Sequence, residues 1–159
     1  MIRRYLIVSL ICLMPLLTPC GSRQSAPPAT PVAGEQVVQT PLSGSEFNPF
    51  FPKDVDAFEI VYTQEKKGFA QAKLKQQGTD IATLSVSDTA ANPSARDKFQ
   101  SSDQTIAGYP AVQSGSQGTS ILVAGRFQVQ VRGQNNSIDA DEREEWLSRF
   151  DLAGLSNLE

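Results

Sequence analysis

Histidine is absent from all 159 residues. That removes Ser-His-Asp and Cys-His catalysis, together with the usual imidazole ligands of zinc and haem. Cysteine is nearly absent too, Cys12 and Cys20 being the two. Cys12 lies inside the N-terminal apolar run and is expected to leave with it. The mature chain then has no pair for an internal disulfide, so its core alone must hold it. A glycine-rich phosphate loop is also missing. Gly115-Ser116-Gln117-Gly118 has neither the spacing nor the lysine, and reads as a hairpin loop. Long apolar runs are lacking as well: Tyr5 to Leu17 falls short of the ~20 residues a spanning helix needs, and Pro15 interrupts it. Excess positive charge is missing. The chain carries a net charge of -3, more negative once Arg3 and Arg4 are removed, whereas nucleic-acid binding relies on basic clusters. No nucleic-acid partner, catalytic residue, metal or cofactor is therefore expected.

What is present begins with Arg3 and Arg4, the short apolar run, and then Thr18-Pro19-Cys20-Gly21. Such a stretch reads as an export signal that is cut off and takes no part in the fold. Leu17-Thr18-Pro19-Cys20 resembles the lipobox of bacterial lipoproteins, with Leu17 as the aliphatic residue three places before the cysteine. Pro19 stands where that motif has a small residue. The resemblance implies a signal peptide over residues 1–19 and a lipidated Cys20 as the new N-terminus. The competing readings are an uncleaved anchor and an ordinary secretory signal cut near Ala33. Stable anchoring generally needs more than one acyl chain, a condition that a diacylated, N-acylated cysteine meets. The expected place is a membrane facing the periplasm or the thylakoid lumen, with the bilayer as partner through the lipid.

From Cys20 to about Ser45 the chain is rich in Ser, Ala, Thr, Gly and Gln, with Pro27, Pro28, Pro31 and Pro41. Too few large apolar residues are present to offset the entropy of ordering, so residues 20–45 read as a disordered tether. Residues 46–159 then form one globular domain. Phe47, Phe50 and Phe51 fall on a single helical turn ended by Pro52. Phe58, Ile60 and Tyr62 alternate with polar neighbours in a first strand. Lys66-Lys67-Gly68 turns into a second over Phe69–Gln76, and Gln77-Gly78 into a third over Ile81–Ser87. Asp88 to Ala91 is expected to leave the sheet. Asn92 caps a short helix with Pro93 at its first position, lined by Ala95, Arg96 and Phe99. Ile106–Val112 reads as one irregular strand, its Gly108 and Pro110 marking an edge or bulge. Thr119–Ala124 and Phe127–Arg132 make a hairpin joined at Gly125-Arg126. Asp139 and Glu142 form a capping box for a last helix striped by Trp146, Leu147 and Phe150, with Leu152, Leu155 and Leu158 packing back. The expected fold is α+β: an antiparallel sheet of about five to six strands packed against two or three helices.

The runs Val61-Tyr62-Thr63-Gln64-Glu65-Lys66-Lys67-Gly68-Phe69-Ala70, Ala107-Gly108-Tyr109-Pro110-Ala111 and Gly125-Arg126-Phe127-Gln128-Val129 are similar to conserved cyanobacterial lipoproteins of unknown function. The resemblance spans the folded part and implies a source and a compartment rather than an activity.

Candidate sites are few. Asp54 with Asp56, and Asp139 with Asp141, are the paired carboxylates. A calcium loop after Asn135-Asn136-Ser137 lacks the central glycine and the final glutamate, so helix capping accounts for the second pair and a turn for the first. Lys66, Lys67, Lys73 and Lys75 make a basic patch on the first hairpin, either a solvated face or a contact for acidic headgroups or an acidic partner. Tyr109-Pro110 on an edge strand is the other candidate contact, so the interface residues are Lys66, Lys67, Tyr109 and Pro110. Three functions follow. The first is a non-enzymatic accessory or binding domain for a membrane complex or envelope component. The second is a carrier of a small apolar ligand among Phe47, Phe50, Phe51, Trp146 and Phe150. The third is a carboxylate-only hydrolase.

Overall fold

The computed structural model describes residues 39–158. The expected signal peptide, Cys20 and the tether up to residue 38 lie outside the described residues. A 3-10 helix, Gly44–Phe50, is followed by β1 (Phe58–Lys66), β2 (Phe69–Gln76) and β3 (Thr79–Asp88). A crossover with 3-10 turns at Thr89–Ala91 and Pro93–Arg96 leads to α1 (Asp97–Gln100). Then come β4 (Gln104–Ile106), β5 (Tyr109–Gln113), β6 (Gly118–Val123), β7 (Phe127–Gly133), α2 (Ala140–Ser148) and α3 (Leu152–Ser156). Every strand pair is antiparallel, and the sheet order is β1-β2-β3-β7-β6-β5-β4. Two meanders thus meet where β3 pairs with β7.

The α+β class forms as expected, with seven strands rather than five to six. The extra strand comes from Ile106–Val112, which is a hairpin and not one irregular strand. Tyr109 pairs back on Ile106, and Ala107 and Gly108 take φ of 50° and 84°. Two consecutive left-handed residues turn a chain with the same twist as the strands they join. Alanine at the first of them conceals that turn from sequence reading. Asp88 is a second correction: it pairs with Phe127 as the last residue of β3 instead of leaving the sheet.

One face of the sheet is apolar. Ala70, Ala72 and Leu74 of β2, Ala82, Leu84 and Val86 of β3, and Phe127, Val129 and Val131 of β7 are all buried. The period of two in each strand places them on one side, and the N-terminal 3-10 helix, α2 and α3 cover that side. The aromatic residues of the helical layer set its spacing. Phe47 meets Phe127 edge-on at 5.8 Å, Phe51 meets Phe150 at 5.1 Å, and Trp146 meets Phe58 at 5.2 Å. Fully burying each such ring stabilises the fold by about 1.5–3 kcal/mol. The 3-10 helix can approach so closely because it starts at Gly44. A Cβ there would stand 2.7 Å from the Lys66 amide nitrogen.

The caps agree with the sequence in α2 and differ in the crossover. Asp139 accepts from the Glu142 amide at 2.9 Å, while the Glu142 carboxylate accepts from the Asp139 amide at 2.8 Å. Asn92 makes no side-chain cap, and the segment after it is a 3-10 turn running into one turn of α-helix. Phe99 and Leu122 are buried outside the main core. Leu122 alternates with the core residues Ile121 and Val123, and α1 packs on β5, so the crossover covers the β5–β6 end of the second face.

Candidate functional site

Among the described residues, the rest of that second face carries no helix. Register places Gln64, Gln71, Ser85, Gln130 and Ser120 in one row across five strands. Beside it lies the row Val61, Lys73, Thr83 and Arg132, and on the other side the row Lys66, Phe69, Ser87 and Gln128. Alternation explains the composition on β2, β3 and β7, where Gln71, Lys73, Thr83, Ser85, Ser87, Gln128, Gln130 and Arg132 each stand one position from a core residue, while Val61 and Phe69 are the apolar members of the rows. Ser85 and Ser120 are buried in that row, so the accessible surface consists of the amides of Gln64, Gln71, Gln128 and Gln130 and the hydroxyls of Thr83 and Ser87, with Lys66, Lys73, Lys75 and Arg132 around it. The exposed surface of α2 is acidic, carrying Asp141, Glu142, Glu144 and Glu145.

The four lysines of the first hairpin do not make one free patch. Asp80 stands between Lys73 and Lys75, ion-paired to both, with 2.6 Å to the Lys75 ammonium. The hydrogen bond from Lys73, then that from Lys75, holds the Asp80 carboxyl below its ordinary range. Lys66 lies over the Phe69 ring at 5.0 Å, and Lys67 is exposed in the turn. The candidate interface residues fall in two separate places. Lys66 and Lys67 join β1 to β2, while Tyr109 and Pro110 are on β5 with β3, β7 and β6 between. At about 4.8 Å per strand that is roughly 19 Å across the sheet. Tyr109 packs on the core with its hydroxyl 3.5 Å from the Leu152 carbonyl, and Pro110 is exposed.

The candidate carboxylates are engaged in the scaffold. Asp54 accepts from the Ile60 amide at 2.7 Å, and Val55 bridges to Phe58, so this segment closes part of the free edge of β1. Asp56 is exposed in a turn at φ 52°. Asp139 caps α2, and Asp151 caps α3 through the Gly154 amide at 2.8 Å. Among the described residues, no three His, Cys, Asp or Glu side chains gather as metal ligands. Four of the five aromatic residues named for an apolar pocket (Phe47, Phe51, Trp146 and Phe150) are core residues in ring contact, and Phe50 is half-buried beside them.

Two charged groups that sequence reasoning did not single out sit inside the fold. Asp88 has a fully buried side chain that accepts a fork from Arg126, Nε at 3.0 Å and Nη2 at 2.8 Å. It also accepts from the Ala90 amide at 2.9 Å and the Leu42 amide at 3.1 Å. Burial pushes this carboxyl up, but the Arg126 fork and the two amides outweigh it, leaving it below the usual carboxylate range. The fork in turn raises the Arg126 pKa. Arg143, only 5% exposed, donates to the Thr119 hydroxyl at 3.0 Å and to the Ile138 carbonyl at 3.4 Å, tying α2 to β6. Its position between two acidic neighbours gave no sign of burial.

Near the β6–β7 turn, Arg96 and Arg126 border a cleft of about 490 Å³. No helix among the described residues is long and apolar enough to cross a membrane. No protein-family model, curated protein or solved structure matches the chain.

Proposed function

We propose that this protein is a non-enzymatic binding domain, held outside the cytoplasm by a lipidated Cys20, that presents the helix-free face of its sheet to a membrane complex or envelope component. The observation that carries the reading is the accessible part of the central row, Gln64, Gln71 and Gln130, with cations around it. Amides and hydroxyls both donate and accept, so such a face suits a polar partner surface. With Lys73 and Lys75 paired to Asp80, it is Lys66 and Arg132 that favour an acidic partner, and the acidic surface of α2 disfavours the opposite orientation. Supporting the non-enzymatic part, Asp54, Asp80, Asp88, Asp139 and Asp151 each serve an amide or a cation of the scaffold.

Two measurements test the proposal. Replacing Cys20 by serine should move the protein from the membrane to the soluble fraction and remove the acyl mass from the mature chain. Retention and mass unaltered by C20S would refute the anchor. A photo-crosslinking residue at Gln130 should give one discrete adduct in membranes, whereas the same residue at Glu144 should give none. Equal labelling from both positions would refute the sheet face as the contact.

A further inference from the structure

The cleft at the β6–β7 turn brings together two guanidinium groups from distant parts of the chain. Arg96 ends the crossover 3-10 turn, and Arg126 follows Gly125 in the tight turn between β6 and β7. Arg126 is already fixed. Its fork to Asp88 uses Nε and Nη2, Nη2 also reaches the Thr40 carbonyl at 3.4 Å, and the guanidinium lies 4.9 Å from the Phe127 ring centre. Nη1 of Arg126 has no hydrogen-bond partner among the described residues. Among the described residues Arg96 makes a single weak contact, Nη1 to the Gly125 carbonyl at 3.4 Å, which uses few of its donors. Among the described residues no carboxylate lines the cleft, Asp88 being buried behind Arg126. Leu158 supplies an apolar side and Ser156 a hydroxyl, while the Phe127 ring is buried in the core behind the turn.

We propose that this cleft binds a small amphipathic oxyanion, its charged group spanning Arg96 and Arg126 and its apolar part lying on Leu158. Asp88 already pairs with Arg126, so the uncompensated charge in this concave space is that of Arg96, and guanidinium groups match the planar geometry of carboxylate and phosphate oxygens. The Asp88 fork holds Arg126 in place before any ligand arrives, so little side-chain freedom is lost on binding. A volume near 490 Å³ accepts a ring-sized molecule. The site is independent of whether Cys20 carries lipid, because every group in it belongs to the folded domain.

Titration of the 15N-labelled protein with phenyl phosphate, inorganic phosphate and benzyl alcohol tests this. Phenyl phosphate should give saturable amide shifts at Gly125, Phe127 and Leu158, with about tenfold tighter binding than inorganic phosphate through contact of its ring with the Leu158 side chain. Benzyl alcohol should give none. Arg96→Gln should weaken phenyl phosphate roughly tenfold or more while leaving thermal stability unchanged, since Arg96 supports little of the scaffold. Phenyl phosphate binding that survives R96Q, shifts that do not saturate, or equal affinity for the two phosphates would overturn the proposal.

Discussion

Asp80 and Asp88 stand near the two ends of β3, and each faces cationic side chains. At the Asp80 end the partners are Lys73 and Lys75, all three side chains reaching water. At the Asp88 end the carboxylate is fully buried and binds Arg126 of the second meander, Leu42 of the entering chain and Ala90 of the crossover. The backbone follows the same plan there: the Gly68 amide donates to Leu42, the Asp88 amide to Gly68, and the Thr89 amide to Arg126. One ion pair balances charge on a surface, while the other joins three segments far apart in sequence: the end of β3 with its exit turn, the β6–β7 turn and the entering chain. The difference is burial. A charge withdrawn from water has to be matched group by group, and removing one partner strands the others.

The largest expected effect therefore belongs to Asp88. Asp88→Ala leaves Arg126 without its carboxylate and the Leu42 and Ala90 amides without an acceptor, and should cost about 3–5 kcal/mol in urea unfolding. The pH dependence has a fixed sign. The folded-state pKa is depressed, so the stabilisation is complete above the unfolded carboxyl value of ~3.9 and is lost as pH falls through the lower folded value. Acid unfolding of the parent chain should accordingly steepen below about pH 4, and D88A should lose that part of the profile. If D88A costs under about 1 kcal/mol, the two ends of β3 do not differ as argued here.

Next in size is Gly44→Ala at the same end. Its new methyl would meet the Lys66 backbone, amide and carbonyl both at 2.7 Å, where neither atom can turn aside. Overpacking of this kind costs about 1–3 kcal/mol, to be read as a fall in the urea midpoint. A neutral result would mean that the entering chain is not held against the β1–β2 hairpin.

The two ends of β3 also differ in how far they can be read from the sequence. The Asp80 end follows from local pattern: Gln77-Gly78 as a turn, and Lys73 and Lys75 opposite Ala72 and Leu74. The alternation that gives β2 and β7 their apolar face also gives the polar row of the second face. The Asp88 end does not follow from it. Its partners lie 38 and 46 positions away at Arg126 and Leu42, a separation that no window of periodicity spans. The same limit hid the arginine cleft, whose two guanidinium groups are 30 residues apart in the chain. Ala107-Gly108 was concealed for a different reason, a left-handed alanine where turn chemistry favours asparagine or glycine.

The Asp80 end has its own small weakness, and correcting it sharpens the comparison. Gln77 is held at φ 49° before Gly78 at 79°, a conformation that asparagine tolerates better than glutamine. Gln77→Asn should stabilise the protein by about 0.5–1 kcal/mol, seen as a higher urea midpoint with an unchanged slope. Destabilisation would place the strain elsewhere in the hairpin.

Asp80→Asn should have the smallest effect of all. The substitution keeps an acceptor between Lys73 and Lys75 and removes only its charge, in a place where water and salt already screen it. The carboxyl is held low by its two lysines, so its contribution too is present at neutral pH and fades in acid, but over a screened pair the change is slight. The midpoint in moderate salt should match the parent chain. At low salt a small loss should emerge, because the two lysines then repel each other across one strand face with nothing of opposite sign between them. A D80N loss as large as that of D88A, and unaltered by salt, would show that exposure does not separate the two ends of β3.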